Sequence, residues 1–139
     1  MSDLETNKRI VHDFFQAWNE RDFAKATELL AEDLEWSIIG GTTVSGERNK
    51  REMKTALKFL PRIFEGFRFT LHETTAEADR VVVIAESHGT HKSGRAYNNH
   101  YSFHMRIKEQ RIARVREFFD TEHATWVETG RTGQASTAD

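Results

Sequence analysis

The chain has 139 residues, 37% hydrophobic and 11% aromatic, which is one domain's worth of sequence with ten Phe to fill or surround a core. A formal charge of -2 leaves no basic footprint for nucleic acid or an anionic membrane, so neither is expected as a partner. Without cysteine there is no disulfide, thiol nucleophile or Cys-ligated zinc, and no apolar run suits a signal peptide or membrane span, so a soluble cytoplasmic protein is expected.

The first helix is expected to start near Ser2, whose spacing to Glu5 fits a capping box, and to carry a stripe of Ile10, Val11, Phe14, Phe15 and Trp18. Asn19-Glu20-Arg21 breaks it. Asp22 then caps a shorter helix presenting Phe23, Ala26, Leu29 and Leu30. Leu34 to Ile39 alternates as a strand between turn signals at Gly40-Gly41 and Ser45-Gly46. A third helix is predicted over Asn49 to Phe59, laying Met53, Ala56, Leu57 and Leu60 over a sheet, with Pro61 where it must bend or stop.

Strands follow. Phe67, Phe69 and Leu71 alternate with Arg68, Thr70 and His72, and Arg80 to His88 is strongly apolar. From Gly94 to Asp120 two long alternating strands are joined by a short polar turn. On the first, Tyr97, Asn99, Tyr101, Phe103 and Met105 share the inward face; on the second, Ala113, Val115, Glu117 and Phe119 share one. Helices followed by a meander predict an α+β domain over residues 1–127, its helices closing one side of a curved, mostly antiparallel sheet that encloses a cone. Residues 128–139, small and polar, read as a mobile tail.

Glu117 is the principal candidate for chemistry, because a carboxylate on an otherwise apolar face must be paired or neutral. A dry site would raise its pKa toward the range useful for proton transfer. The alternative is an ion pair with Arg95, Arg114 or Arg116, or a strand-edge carboxylate in water. Glu86 and His88 are secondary candidates. If Val82, Ile84, Glu86 and His88 form the inner face of their strand, acid and imidazole lie inside together; otherwise they sit near an open rim. Tyr101 and Asn99 offer donors for a carbonyl or enolate oxygen, or satisfy each other or Glu117. Trp36, Met53, Phe64, Phe69, Phe103 and Phe119 shape the cavity or simply fill the core.

The seven His do not predict a metal. On a strand the offset of His88 and His91 puts them on opposite faces, and His100 and His104 share a face but lie too far apart to chelate unaided. Those two histidines with Arg106, Arg114 and Arg116 form a polar outer row suited to a wet interface. Gly40-Gly41 lacks phosphate-loop spacing, so no cofactor is implied.

Three helices followed by a meander, with AEDLEW after the second helix and RIARVREFFDT at the last strand, resemble the NTF2-like superfamily, particularly its SnoaL-like branch, over roughly residues 4 to 127. The resemblance implies a cone-shaped fold and commonly a homodimer through the outer face of the sheet. Beside limonene epoxide hydrolases, Glu117 stands where an aspartate activates water and Glu86 at the second aspartate. Ile84 replaces the arginine between them, and Trp36 and Ile38 replace the tyrosine and asparagine that hold the water. Beside ketosteroid isomerases, Ile38 stands at the base, Phe14 at the tyrosine, and Asn99 or Tyr101 near the protonated acid. Polyketide cyclases of the SnoaL-like group use one acid near the end of the sheet, which Glu117 matches better.

Two functions are therefore weighed. One is a cofactor-independent acid/base enzyme of the isomerase, cyclase or hydratase kind, acting on a small, mostly apolar carbonyl- or hydroxyl-bearing molecule. Its pocket would be lined by Trp36, Ile38, Met53, Phe64, Phe69, Ile84, Phe103 and Phe119. The other is a non-catalytic binding or dimerisation module of the same fold.

Overall fold

The computed structural model describes residues 3–131. Helix α1 (Asp3–Asn19) is followed by α2 (Phe23–Glu28), β1 (Leu30–Ile38), β2 (Gly46–Arg48) and α3 (Lys50–Ile63). Strands β3 (Phe64–Glu77), β4 (Arg80–His91), β5 (Ala96–Tyr97), β6 (His100–Lys108) and β7 (Arg111–Phe119) come next, and α4 (Thr121–Thr129) ends the order. The sheet runs β2-β1-β7-β6-β4-β3, with β5 paired to β4. Among the described residues only the β1–β7 pairing is parallel. Register shifts interrupt the β1–β7, β3–β4 and β6–β7 pairings, and such irregularities bend strands, so the sheet curls around its helices without closing.

All five apolar residues of the α1 stripe are buried. Their rings meet the concave face of the sheet: Phe15 lies 5.1 Å from Phe69 and 5.0 Å from Phe103, and Trp18 lies 4.9 Å from Phe69, between ring centroids. Truncating a ring in such a cluster costs about 3–5 kcal/mol. Asn19 then locks the helix end to the sheet, its Nδ2 donating to Phe69 O and its Oδ1 accepting from Phe69 N, both at 2.8 Å.

Several boundaries differ from expectation for identifiable reasons. The expected start at Ser2 lies outside the described residues. Helix α2 stops at Glu28 and Leu30 opens β1, because its backbone pairs with Ile112. Asn49 and Glu52 form the capping box of α3, which continues through Pro61 to Ile63. Pro61 has no N–H to give, yet Phe64 N–H still reaches Leu60 O, so the last turn closes. The sequence reading contained no α4. Asp120 accepts from His123 N at 3.1 Å to start it, and Gly130, in the left-handed region at φ 75°, stops it. Glu128 and Thr129 therefore finish a helix rather than begin a tail, and residues 132–139 lie outside the described residues.

Candidate functional site

Between the concave face of the sheet, α3, α4 and the connection from β1 to β2 lies a cavity of about 380 Å³. Met53, Leu57 and Leu60 of α3 form its roof, Ala124 and Val127 of α4 one flank, and Ile38, Phe67, Phe69 and Phe119 the sheet side. Thr43 and Val44 stand at the lip, where Thr43 Oγ1 donates to Glu128 Oε2 at 2.7 Å.

Glu117 enters this apolar space from β7, held between Phe103 of β6 and Ile38 of β1. Its residue surface is partly open because it faces the hollow, yet the protein atoms around the carboxyl leave the anion little bulk water. Desolvation pushes its pKa from an ordinary 4.5 to about 7, opposed only by the indole of Trp36, whose Nε1 donates to Oε1 at 2.8 Å. Close to neutral pH the group can therefore either take or give a proton. No arginine pairs with it; Arg95 donates to the carbonyls of Val127 and Glu128, and Arg114 reaches Glu35.

Glu86 and His88 do not share this space. Residues directly opposite in an antiparallel pair lie on one face, and Ala85 opposes Tyr101 while Val83 opposes Phe103, so the inward row of β4 is Val81, Val83, Ala85 and Ser87. Glu86 opposes His100 on the outer face, where it meets His72 Nε2 at 2.9 Å, Asn98 Nδ2 at 2.7 Å and His88 Nε2 at 3.4 Å. The Asn98 and His72 hydrogen bonds lower its pKa, which suits a surface carboxylate and not a neutral acid. Ile84 shares that outer face, 39% exposed, and is not a pocket residue. Both faces of β4 are rich in Val and Ile, so alternation alone could not choose between them.

Of the other candidates, Ile38, Met53, Phe64, Phe69, Tyr101 and Phe119 line the cavity. Trp36 and Phe103 are fully buried behind the lining, with ring centroids 6.3 Å apart. Asn99 is also fully buried: Oδ1 accepts from His100 N and Asp120 N, while Nδ2 donates to Asp120 O and Tyr97 Oη. It ties β6 to the start of α4 and has no donor left for a ligand.

Tyr97 and His91 are polar lining residues outside the sequence-derived set. Tyr97 Oη lies 2.8 Å from Tyr101 Oη, and burial raises both phenol pKa values, Tyr101 well above 10.0, so both stay neutral. Their inward phase was legible in the alternation, but not their contact. His91 also lines the cavity; burial lowers its pKa and Nδ1 accepts from Ser93 N. Among the described residues no group of three or more His, Asp or Glu could hold a metal ion. No helix among them is long and apolar enough to cross a membrane.

Residues 11–115 match the profile of the SnoaL-like domain. Among solved structures, an NTF2-like protein of unknown function from Burkholderia pseudomallei is similar at TM-score 0.83 and 22% identity, covering 93% of this chain and 99% of its own. A candidate isomerase from Bacillus subtilis is similar at TM-score 0.82 and 21% identity, over 96% and 100% of the two chains. TerC, co-crystallized with polyporic acid, is similar at TM-score 0.79 and 20% identity, over 88% and 97%. No curated protein matches.

Proposed function

The chain belongs to the SnoaL-like domain family and has the cone-shaped NTF2-like fold, and from that premise we propose a cofactor-independent acid/base enzyme of the isomerase, cyclase or hydratase type. Its substrate is a small, mostly apolar molecule bearing a carbonyl or hydroxyl, bound in the cone. The observation that carries the reading is Glu117, a carboxyl set deep in a mostly apolar cavity with a pKa of about 7.

Ionised Glu117 takes a proton from the carbon next to a carbonyl. The C–H electron pair moves into a carbon–carbon double bond, and the carbonyl oxygen takes up the negative charge. Returned from Glu117 to another carbon, that proton completes an isomerisation; swapped first for one from solvent and returned to the same carbon, it completes an exchange. Tyr101, in the same wall, is the candidate partner for the oxygen. Two copies pair through the outer face of the sheet.

The test needs no knowledge of the natural substrate. β-Tetralone, a compact bicyclic ketone with acidic C–H bonds, is incubated in deuterium oxide and its deuterium uptake followed by NMR. The wild-type protein accelerates uptake, and Glu117→Gln loses at least about a hundredfold of the acceleration, the usual scale of a positioned acid/base. Equal acceleration by both proteins would refute the role of Glu117. Binding without exchange by either would mark a binding module instead.

A further inference from the structure

The hydroxyls of Tyr97, Tyr101 and Ser87 form a chain whose protons can be counted. Tyr97 Oη and Tyr101 Oη are 2.8 Å apart, and Tyr101 Oη and Ser87 Oγ 3.1 Å. Asn99 fixes both ends. Its Oδ1 is occupied by two backbone N–H groups, so its Nδ2 must be the side that faces Tyr97 Oη, at 3.0 Å; its backbone N–H donates to Ser87 Oγ at 3.3 Å. Three hydroxyl protons are thus available for two hydroxyl–hydroxyl contacts. One proton is left over.

That proton has one favourable outlet. Ser87 is fully buried and its Oγ makes no further hydrogen bond among the described residues, so leaving the spare proton on Oγ would strand a buried donor at a cost of about 1–3 kcal/mol. Tyr97 and Tyr101 both line the cavity. If Ser87 donates to Tyr101 and Tyr101 to Tyr97, the proton of Tyr97 faces the hollow; if both neighbours donate to Tyr101, its own proton does.

We propose that the Ser87–Tyr101–Tyr97 chain, pinned by Asn99, presents one hydroxyl donor to the cavity and thereby selects ligands that place an acceptor oxygen, a carbonyl or its enolate, against the tyrosine pair. This deepens the proton-transfer reading and rests on it for the enolate alone. Ser87 and Asn99 are positioning residues: they touch no ligand but set which way the protons run. The neutrality of both phenols agrees with a donor and excludes a base. A donor polarised by hydroxyls behind it is also stronger than an isolated phenol.

The experiment compares β-tetralone with tetralin, the same bicycle without oxygen, by calorimetry, and reads the infrared carbonyl stretch of the bound ketone. The ketone should bind about tenfold more tightly, with its stretch lowered relative to hexane. Proton counting gives the variants a distinctive pattern. Tyr97→Phe leaves the spare proton on Tyr101, and Tyr101→Phe leaves it on Tyr97, so each single variant keeps a lowered stretch while the double variant loses it. Tetralin binding as tightly as the ketone, or an unshifted stretch in the wild type, overturns the donor assignment, and needs no variant to fold. Glu117→Gln separates the two ideas: a lowered stretch there without exchange leaves the donor intact, whereas exchange dependent on Glu117 with an unshifted stretch sinks the donor alone. If neither molecule binds, the pocket reading and this one fall together.

Discussion

Trp36 Nε1 donates to Glu117 Oε1 at 2.8 Å, and among the described residues this is the only hydrogen bond the carboxyl receives. One neutral donor is too little to offset desolvation, which is why the pKa settles near 7 and not near 4.5. Removing it should raise the pKa further. In Trp36→Phe, isotope-edited carboxyl NMR should find the Glu117 midpoint above its wild-type value, together with a stability loss of about 1–3 kcal/mol from a smaller core ring. A midpoint unchanged or lowered would show that the indole does not hold the anion.

The raised pKa makes Glu117 a stability liability at neutral pH. Its folded pKa, about 7, exceeds its ordinary 4.5, so between these values the native state holds more protons than the unfolded chain. Stability therefore falls as pH rises through this window and levels off above it, by an amount on the order of 3 kcal/mol. Glu117→Gln removes that slope. Urea titrations of both proteins should show the variant gaining relative to wild type as pH rises from about 4 to about 8, with every other titrating group cancelling in the difference. Parallel profiles would place the carboxyl in water.

Glu86 supplies the contrast. It lies on the outer face, hydrogen-bonded to Asn98 and His72, with a lowered pKa. Glu86→Gln should leave deuterium exchange into β-tetralone within about twofold of wild type, against the large loss for Glu117→Gln. A comparable loss at both positions would mean that the outer carboxylate reaches the chemistry.

How these assignments divided between legible and hidden follows from local chemistry. On β6 and β7 histidines and arginines alternate with the apolar residues and mark the outer face, so the inward placement of Tyr101 and Glu117 is legible. On β4 the pattern VVVIA is apolar on both faces, and only the pairing of Ala85 with Tyr101 decides the phase. For that reason the sequence puts Ile84 in the pocket and leaves Glu86 and His88 open between the inner face and a rim. Helix α4 was missed although Asp120 and Gly130 bracket it, because its apolar residues Ala124, Trp126 and Val127 are too few to form a stripe. The hydroxyl chain rests on distances, and a sequence carries none.

The outer face offers a test of assembly. Ile84 and Phe118, 39% and 41% exposed, stand among His100, His104, Arg106, Arg114 and Arg116, and the arginines opposite each other reach Asp79 and Glu35. Apolar area beside two arginines already in ion pairs suits burial against a second copy. Sedimentation equilibrium should find a dimer that Ile84→Lys converts to monomer while the circular dichroism spectrum stays unchanged. A wild-type protein that sediments as a monomer at every concentration tested would exclude this interface.

Gly40 fixes how the cavity lip meets α4. Its φ of 114° lies where side-chain-bearing residues are strained, and a Cβ there would stand 2.8 Å from Thr121 Cγ2, inside contact distance. Gly40→Ala should therefore destabilise by about 1–3 kcal/mol through two separable causes, backbone strain and collision. Thr121→Ser deletes the colliding methyl and touches only the second. The double variant should recover part of the loss and keep the rest, a non-additivity measurable as a coupling energy in denaturant titrations. Full additivity would mean that the chain from Ile39 to Ser45 moves away from α4 without resistance. In that event the Thr43–Glu128 contact does not hold the lip in place, and ligand entry would be indifferent to both substitutions.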